Sequence, residues 1–184
     1  MSSQSTATSQ PGCEFTTTST TATKLTCYYN DAYDSIIQRF RIEVPQVDIL
    51  RIRAAISAQD VTHVLENASS PSGFVSFAEY NHAGWMRHFS NQGGSLRRAH
   101  RFTFGNPLYA LPVLQQDIEV ALHIPLDCCF IEELDEGRTR LVVTLPTSFL
   151  KTADDDDGVR RALVSIEAKL FKLVQRLLPQ PYTD

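Results

Sequence analysis

A chain of 184 residues, 42% hydrophobic and 21% charged, has the material for one ordinary globular domain with a tail, and needs neither disulfides nor metals to hold a core. Its formal charge of −4 excludes the basic surplus of a general nucleic-acid binder, and no apolar run approaches the roughly 20 residues of a membrane span. Four cysteines without Cys-x-x-Cys spacing predict free thiols.

Residues 1–22 are polar and rich in Ser and Thr. They carry too little apolar surface to offset the entropy of ordering, which predicts a disordered tail and a single domain over 23–184. With no basic start and no apolar middle, the segment is not read as a signal peptide, and an intracellular, cytoplasmic protein is expected. Thr23–Tyr29 is β-prone, with Leu25, Cys27 and Tyr29 on one face. Asn30 and Asp31 offer capping side chains before a helix over 32–43, whose apolar positions are Ala32, Tyr33, Ile36, Ile37 and Phe40. Pro45 ends it. Residues 46–56 read equally as strand or helix. Ser57 and Asp60 form a capping box ahead of a short helix through Val61, Val64 and Leu65.

Gly73–Tyr80 predicts a strand. His82–Trp85 opens a short helical turn, and Gln92, Gly93 and Gly94 a loop. Leu96–Phe104 returns to strand, with Phe102 and Phe104 on one face. A Gly105-Asn106-Pro107 corner then starts a helix, since proline suits its first turn. Pro112 is unfavourable in mid-helix by about 3 kcal/mol, so that helix should break or kink before Gln115. Pro125–Glu133 and Arg138–Leu145 flank the turn Asp135-Glu136-Gly137 as a β-hairpin. Adjacent Cys128 and Cys129 should point to opposite faces of the first of these strands. The last element is a long amphipathic helix with apolar spacing from Val159 to Leu177. The acidic run Asp154–Asp157 marks its start, at the positive end of the helix dipole. That run lacks the alternating spacing and glycine of a calcium loop.

The ordered segments GFVSFAEYNHAGWMRHF, RRAHRFTFGNPLYALPVLQQDIEVALHIPL and TRLVVTLPTSFL resemble the family known as domain of unknown function 302, particularly its fungal-type members. The landmarks are His82 and Trp85, the Gly105-Asn106-Pro107 corner, Gln116-Asp117, Ala121-Leu122, Pro125, Leu145-Pro146 and Ser148, within about residues 23–178. The resemblance implies a compact α+β fold: a largely antiparallel sheet of about five strands, helices packed on it, and a homodimer. It implies no activity and carries over no catalytic or cofactor residue. Tyr109, where a smaller or aliphatic residue is expected, and the Cys128-Cys129 pair depart from the family pattern and would reshape a pocket.

Three constellations bear on chemistry. Glu79, His82, Trp85, Arg87 and His88 gather acid, base, cation and aromatic groups at a strand end. His82 suits a general base, although alternation sets Glu79 and Asn81 on the face opposite Tyr80 and His82. A half-exposed strand end with a core tryptophan explains the same residues. Arg97, Arg98, His100 and Arg101 would hold an oxyanion, or protect an edge strand. Arg98 and His100 share one face, Arg97 and Arg101 the other. The Gly105-Asn106-Pro107 corner presents backbone donors but lacks the spacing and lysine of a phosphate loop. Asp117 either faces a cleft or caps the continuing helix.

The expectation is therefore a small-molecule-binding protein, with its ligand between the sheet and the 82–89 and 105–117 segments. His82 and Asp117 are the acid/base candidates. Trp85, Arg101, Tyr109 and Glu79 are the substrate contacts. As an enzyme it would run proton-transfer chemistry of the isomerase, cyclase or lyase type, with no cofactor and no metal motif to suggest otherwise. The alternative is a non-catalytic homodimeric interaction module.

Overall fold

The computed structural model describes residues 4–6, 16–18, 21–89, 97–150 and 157–179. Within the segment expected to be a tail, strands β1 (Gln4–Thr6) and β2 (Thr16–Thr18) pair antiparallel. The rest of 1–20 lies outside the described residues, Cys13 included. So do the Gln92-Gly93-Gly94 loop and all of the Asp154–Asp157 run but Asp157.

The domain is an α+β fold around a five-stranded antiparallel sheet. Its strands are β3 (Lys24–Tyr29), β4 (Val75–Asn81), β5 (Ala99–Gly105), β6 (Leu126–Glu133) and β7 (Arg138–Thr144), in the order β3-β7-β6-β5-β4. The β6–β7 hairpin closes at the predicted turn, and Cys128 pairs with Val143. Alternation sorts the two faces. Phe102, Phe104, Leu126, Cys128, Phe130, Leu141 and Val143 are buried under the helices, while Arg101, Asp127, Cys129, Arg140 and Tyr28 occupy the other face with partial or full exposure. Cys27, Cys128 and Cys129 are free thiols.

Helix α1 (Tyr33–Glu43) buries Tyr33, Ile36, Ile37 and Phe40 against that core. Its start differs from expectation. Asp31 does not cap the helix; its carboxylate accepts from Ala32 N–H at 2.8 Å and pairs with Arg39. The ambiguous stretch 46–56 holds both predicted states. Gln46 bridges Ser76 in parallel, and Asp48 then caps the short helix α2 (Ile49–Arg53) by accepting from Leu50 N–H at 2.9 Å. The Ser57–Asp60 capping box opens α3 (Ala58–Asn67) as read from the sequence. After β4 comes α4 (His82–Met86). The corner leads into α5 (Pro107–Leu114), which contains Pro112 and ends two residues later with Gln115 as its C-cap.

The final helix, α6 (Asp157–Arg176), buries Val159, Leu163, Ile166, Leu170, Leu173 and Val174. It packs beside α5. Propensity alone would leave such a helix marginal; its apolar stripe on the sheet and α5 holds it in place.

Candidate functional site

The structure regroups the residues singled out in the sequence. A β-bulge in β4 decides the first group. Ahead of it Ser76 pairs with Phe104 on the covered face; beyond it Glu79 pairs with Phe102, so odd rather than even positions now face the helices. The extra residue re-aims every later side chain of the strand. Glu79 is thereby turned inward, diagonal to His100, whose direct partner is Asn81.

Here the Glu79 carboxylate takes a two-pronged contact from Arg41 at 2.5 and 3.2 Å and lies 3.4 Å from His100 Nε2. On the ring's other side, His100 Nδ1 is 2.7 Å from the Tyr33 hydroxyl. His100 thus lies between an acid and a phenol, and the direction of its bond with Tyr33 follows the tautomer of the ring. Arg98 closes the cluster: its guanidinium sits 4.6 Å over the Tyr33 ring, 2.9 Å from Asp34, and fork-on-fork with Glu132 at 2.7 and 2.8 Å. Arg98 thereby holds the Glu132 carboxyl below its ordinary pKa. Burial pushes the Tyr33 phenol up and the His100 imidazole down, Glu79 only partly opposing the latter.

This arrangement clamps the start of α1 to the sheet, and its pH dependence follows from linkage. With a folded pKa below the ordinary 6.5, folded His100 binds fewer protons than the unfolded chain does. Its contribution is therefore present above about pH 6.5 and is lost as pH falls through the lowered folded value. The expected result is a decline in unfolding free energy from pH 7 to pH 5 that is shallower in His100→Gln. Urea titrations over that interval test it, above the range where Glu132 contributes; parallel slopes for the two proteins would refute it.

The four basic residues of 97–101 fall on the two predicted faces. β5 lies between β4 and β6, so it is not an edge strand and the edge role does not hold. The arginines are paired with acids. Arg101 is engaged by Asp127 at 2.7 and 3.1 Å, and Arg97 lies 3.4 Å from Glu133.

His82 and Asp117 do not meet. His82 follows β4 at the end where β5 begins, whereas Asp117 follows the corner at which β5 ends. The seven residues of β5 separate them by about 20 Å at ~3.3 Å per residue. The 82–89 and 105–117 segments therefore do not enclose one cleft. His82 lies 3.4 Å from the Trp85 indole nitrogen on α4, and Trp85 is 55% exposed rather than a core residue. Asp117 is the N-cap of a 3-10 turn, Ile118–Leu122, accepting from Glu119 N–H at 3.0 Å.

Tyr109, one of the predicted contacts, lines cavities. Its ring packs edge-on against Phe74, and Lys169 of α6 sits 4.8 Å over it. Beside it, Asn106 caps α5 through Leu108 N–H and donates to the Gly73 carbonyl, both at 2.8 Å. The corner thus ties the 70–73 loop to α5. An open depression of about 340 Å³ lies there, bounded by Leu65, Glu66, Val75, Asn106, Leu108 and Tyr109 among others. No group of three or more His, Cys, Asp or Glu side chains suited to a metal occurs among the described residues, and none of their helices is long and apolar enough to cross a membrane.

A model of the family described as "Domain of unknown function DUF302" matches residues 50–177. The crystal structure of an uncharacterized conserved DUF302 protein from Bacillus stearothermophilus is similar, with a TM-score of 0.58 and 15% identity, covering 84% of this chain and 97% of that one. At that identity the likeness concerns the fold alone. No curated protein matches.

Proposed function

The chain belongs to the DUF302 family, and on that premise we propose that it is a small-molecule-binding protein whose organic ligand sits in the depression between α3, the 70–73 loop and α5. The observation that supports this is the depression itself. Its volume of about 340 Å³ reaches the lower end of the ~300–1,000 Å³ that ligand sites occupy. Its floor mixes apolar side chains (Leu65, Val75, Leu108) with the few polar groups that orientation requires, Glu66, Ser69 and Asn106. Binding is favoured over proton transfer because neither His82 nor Asp117 lines this depression. The departure at Tyr109 noted in the sequence falls on its wall.

Fragment screening against isotope-labelled protein tests the reading. Amide shifts should converge on Leu65, Val75, Asn106 and Leu108, and Thr62→Trp, which fills the depression from its rim, should weaken the best fragment at least roughly tenfold. Fragments that bind elsewhere, or that ignore Thr62→Trp, would exclude this site.

A further inference from the structure

We propose that the outer face of α6 carries a second, anion-binding site that takes the dianionic head of a phosphate monoester. Lys169, Lys172 and Arg176 fall three and four residues apart and so form one ridge. They line a pocket of about 170 Å³ whose other walls are Pro71, Ser72 and Tyr109, over a floor of buried Leu173. Only Tyr109 is shared with the α3–α5 depression.

The charges there are unbalanced. Among the described residues neither Lys169 nor Lys172 has a carboxylate partner; Lys169 only rests on the Tyr109 ring. The nearest opposing charge is Glu43, 3.6 Å from Arg176 Nη1, and its Oε2 is buried without a hydrogen-bond donor. Three cations thus face one carboxylate, in a chain whose net charge is −4. Compensation of the helix dipole accounts for Arg176, in the last turn, but not for Lys169, because that effect fades within one turn. Elsewhere the described arginines of the sheet are engaged by acids, as at Arg98, Arg101 and Arg140. Here the surplus coincides with a pocket.

The shape narrows the ligand. Lysines bind phosphate as point charges, and an arginine fork donates to two of its oxygens. Tyr109 lends its ring, beneath Lys169, as a wall. Ser72 contributes no donor, since its hydroxyl already donates to the Glu43 carbonyl at 2.5 Å. The Pro71, Leu173 and Tyr109 surfaces leave room for a short organic stub rather than for bare phosphate alone.

The test is calorimetric titration of the full chain with glycerol 3-phosphate, beside inorganic sulfate as a charge-matched control. The expected result is saturable binding, tighter than for sulfate, that weakens by roughly tenfold or more in Lys169→Gln/Lys172→Gln. Arg51→Gln, on α2 away from this pocket, should leave it unchanged. Circular dichroism of the double variant confirms that the fold is kept. Absent binding, an affinity equal to that for sulfate, or equal losses in the double variant and Arg51→Gln would each overturn the proposal. Phosphatidic acid vesicles present the same head group in a membrane; capture by vesicles without binding of glycerol 3-phosphate would overturn it as well.

Discussion

Phe40→Ala lowers the free energy of unfolding by about 3–5 kcal/mol. Phe40 is 1% exposed, and its ring centroid lies 4.6 Å from that of Phe102, 5.0 Å from Phe130 and 5.6 Å from Phe104. Its ring meets aromatic rings of both β5 and β6. Truncation removes the transfer energy of the ring and leaves a cavity walled by three aromatics fixed on a sheet, which cannot close inward to fill it. Edge-on ring contacts add about 0.5–1.5 kcal/mol each to what area alone gives. Phe40→Leu keeps most of the volume and should cost less than half as much. Urea unfolding checks both, read as a shift in midpoint at constant slope. A loss below about 1 kcal/mol for Phe40→Ala would mean that α1 is not seated on the sheet in this way.

The sequence revealed these elements unevenly, and the reasons are physical. The Ser57–Asp60 box, the turn at Gly137 and the long stripe of α6 are short-range signals. Each is a cap, a turn or a period whose cause lies within a few residues. All three stand where they were expected. What depends on strand order was hidden. Arg97, Arg98 and Arg101 look like edge protection until β4 is found beyond β5. Their carboxylates come from α1, β6 and the β6 end, up to 64 residues away.

Glu79 shows a subtler loss. Alternation sets it apart from His82 only if the strand runs on, and β4 ends at Asn81. Nor could alternation show that Glu79 is redirected onto His100, because the bulge between Ser76 and Ala78 is a property of pairing with β5 rather than of the local sequence. His82 and Asp117 lie at opposite ends of β5. An extended strand lies between them, and a strand carries its two ends apart. The Lys169–Lys172–Arg176 ridge went unread for the opposite reason. On a helix read for its apolar stripe, charges on the other face look like ordinary solvation; only the 70–73 loop and Tyr109 make a pocket of them.

Tyr109 and Gly73 form a coupled pair, and Gly73→Ala is expected to destabilise the protein by about 2–4 kcal/mol through two separable causes. Gly73 has φ +77°, in the left-handed region, where a side chain costs about 1–2 kcal/mol. A β-carbon there would also lie 2.3 Å from the Tyr109 hydroxyl oxygen, while the next ring atom, at 3.4 Å, is in ordinary contact. Tyr109 cannot swing away freely, since Phe74 and Lys169 hold its ring from two sides. The clash therefore resides in a single oxygen. Tyr109→Phe should cost little by itself. In the double variant it should recover the overlap part of the Gly73→Ala loss, leaving only the backbone part of about 1–2 kcal/mol. The four proteins of that cycle, compared by urea unfolding, should show a coupling of about 1 kcal/mol or more. Strict additivity would place the whole cost in the backbone and would mean that the tyrosine has room to move. The bulky residue at 109 is then tolerated because position 73 carries no side chain, and one glycine sets the wall shared by both proposed sites.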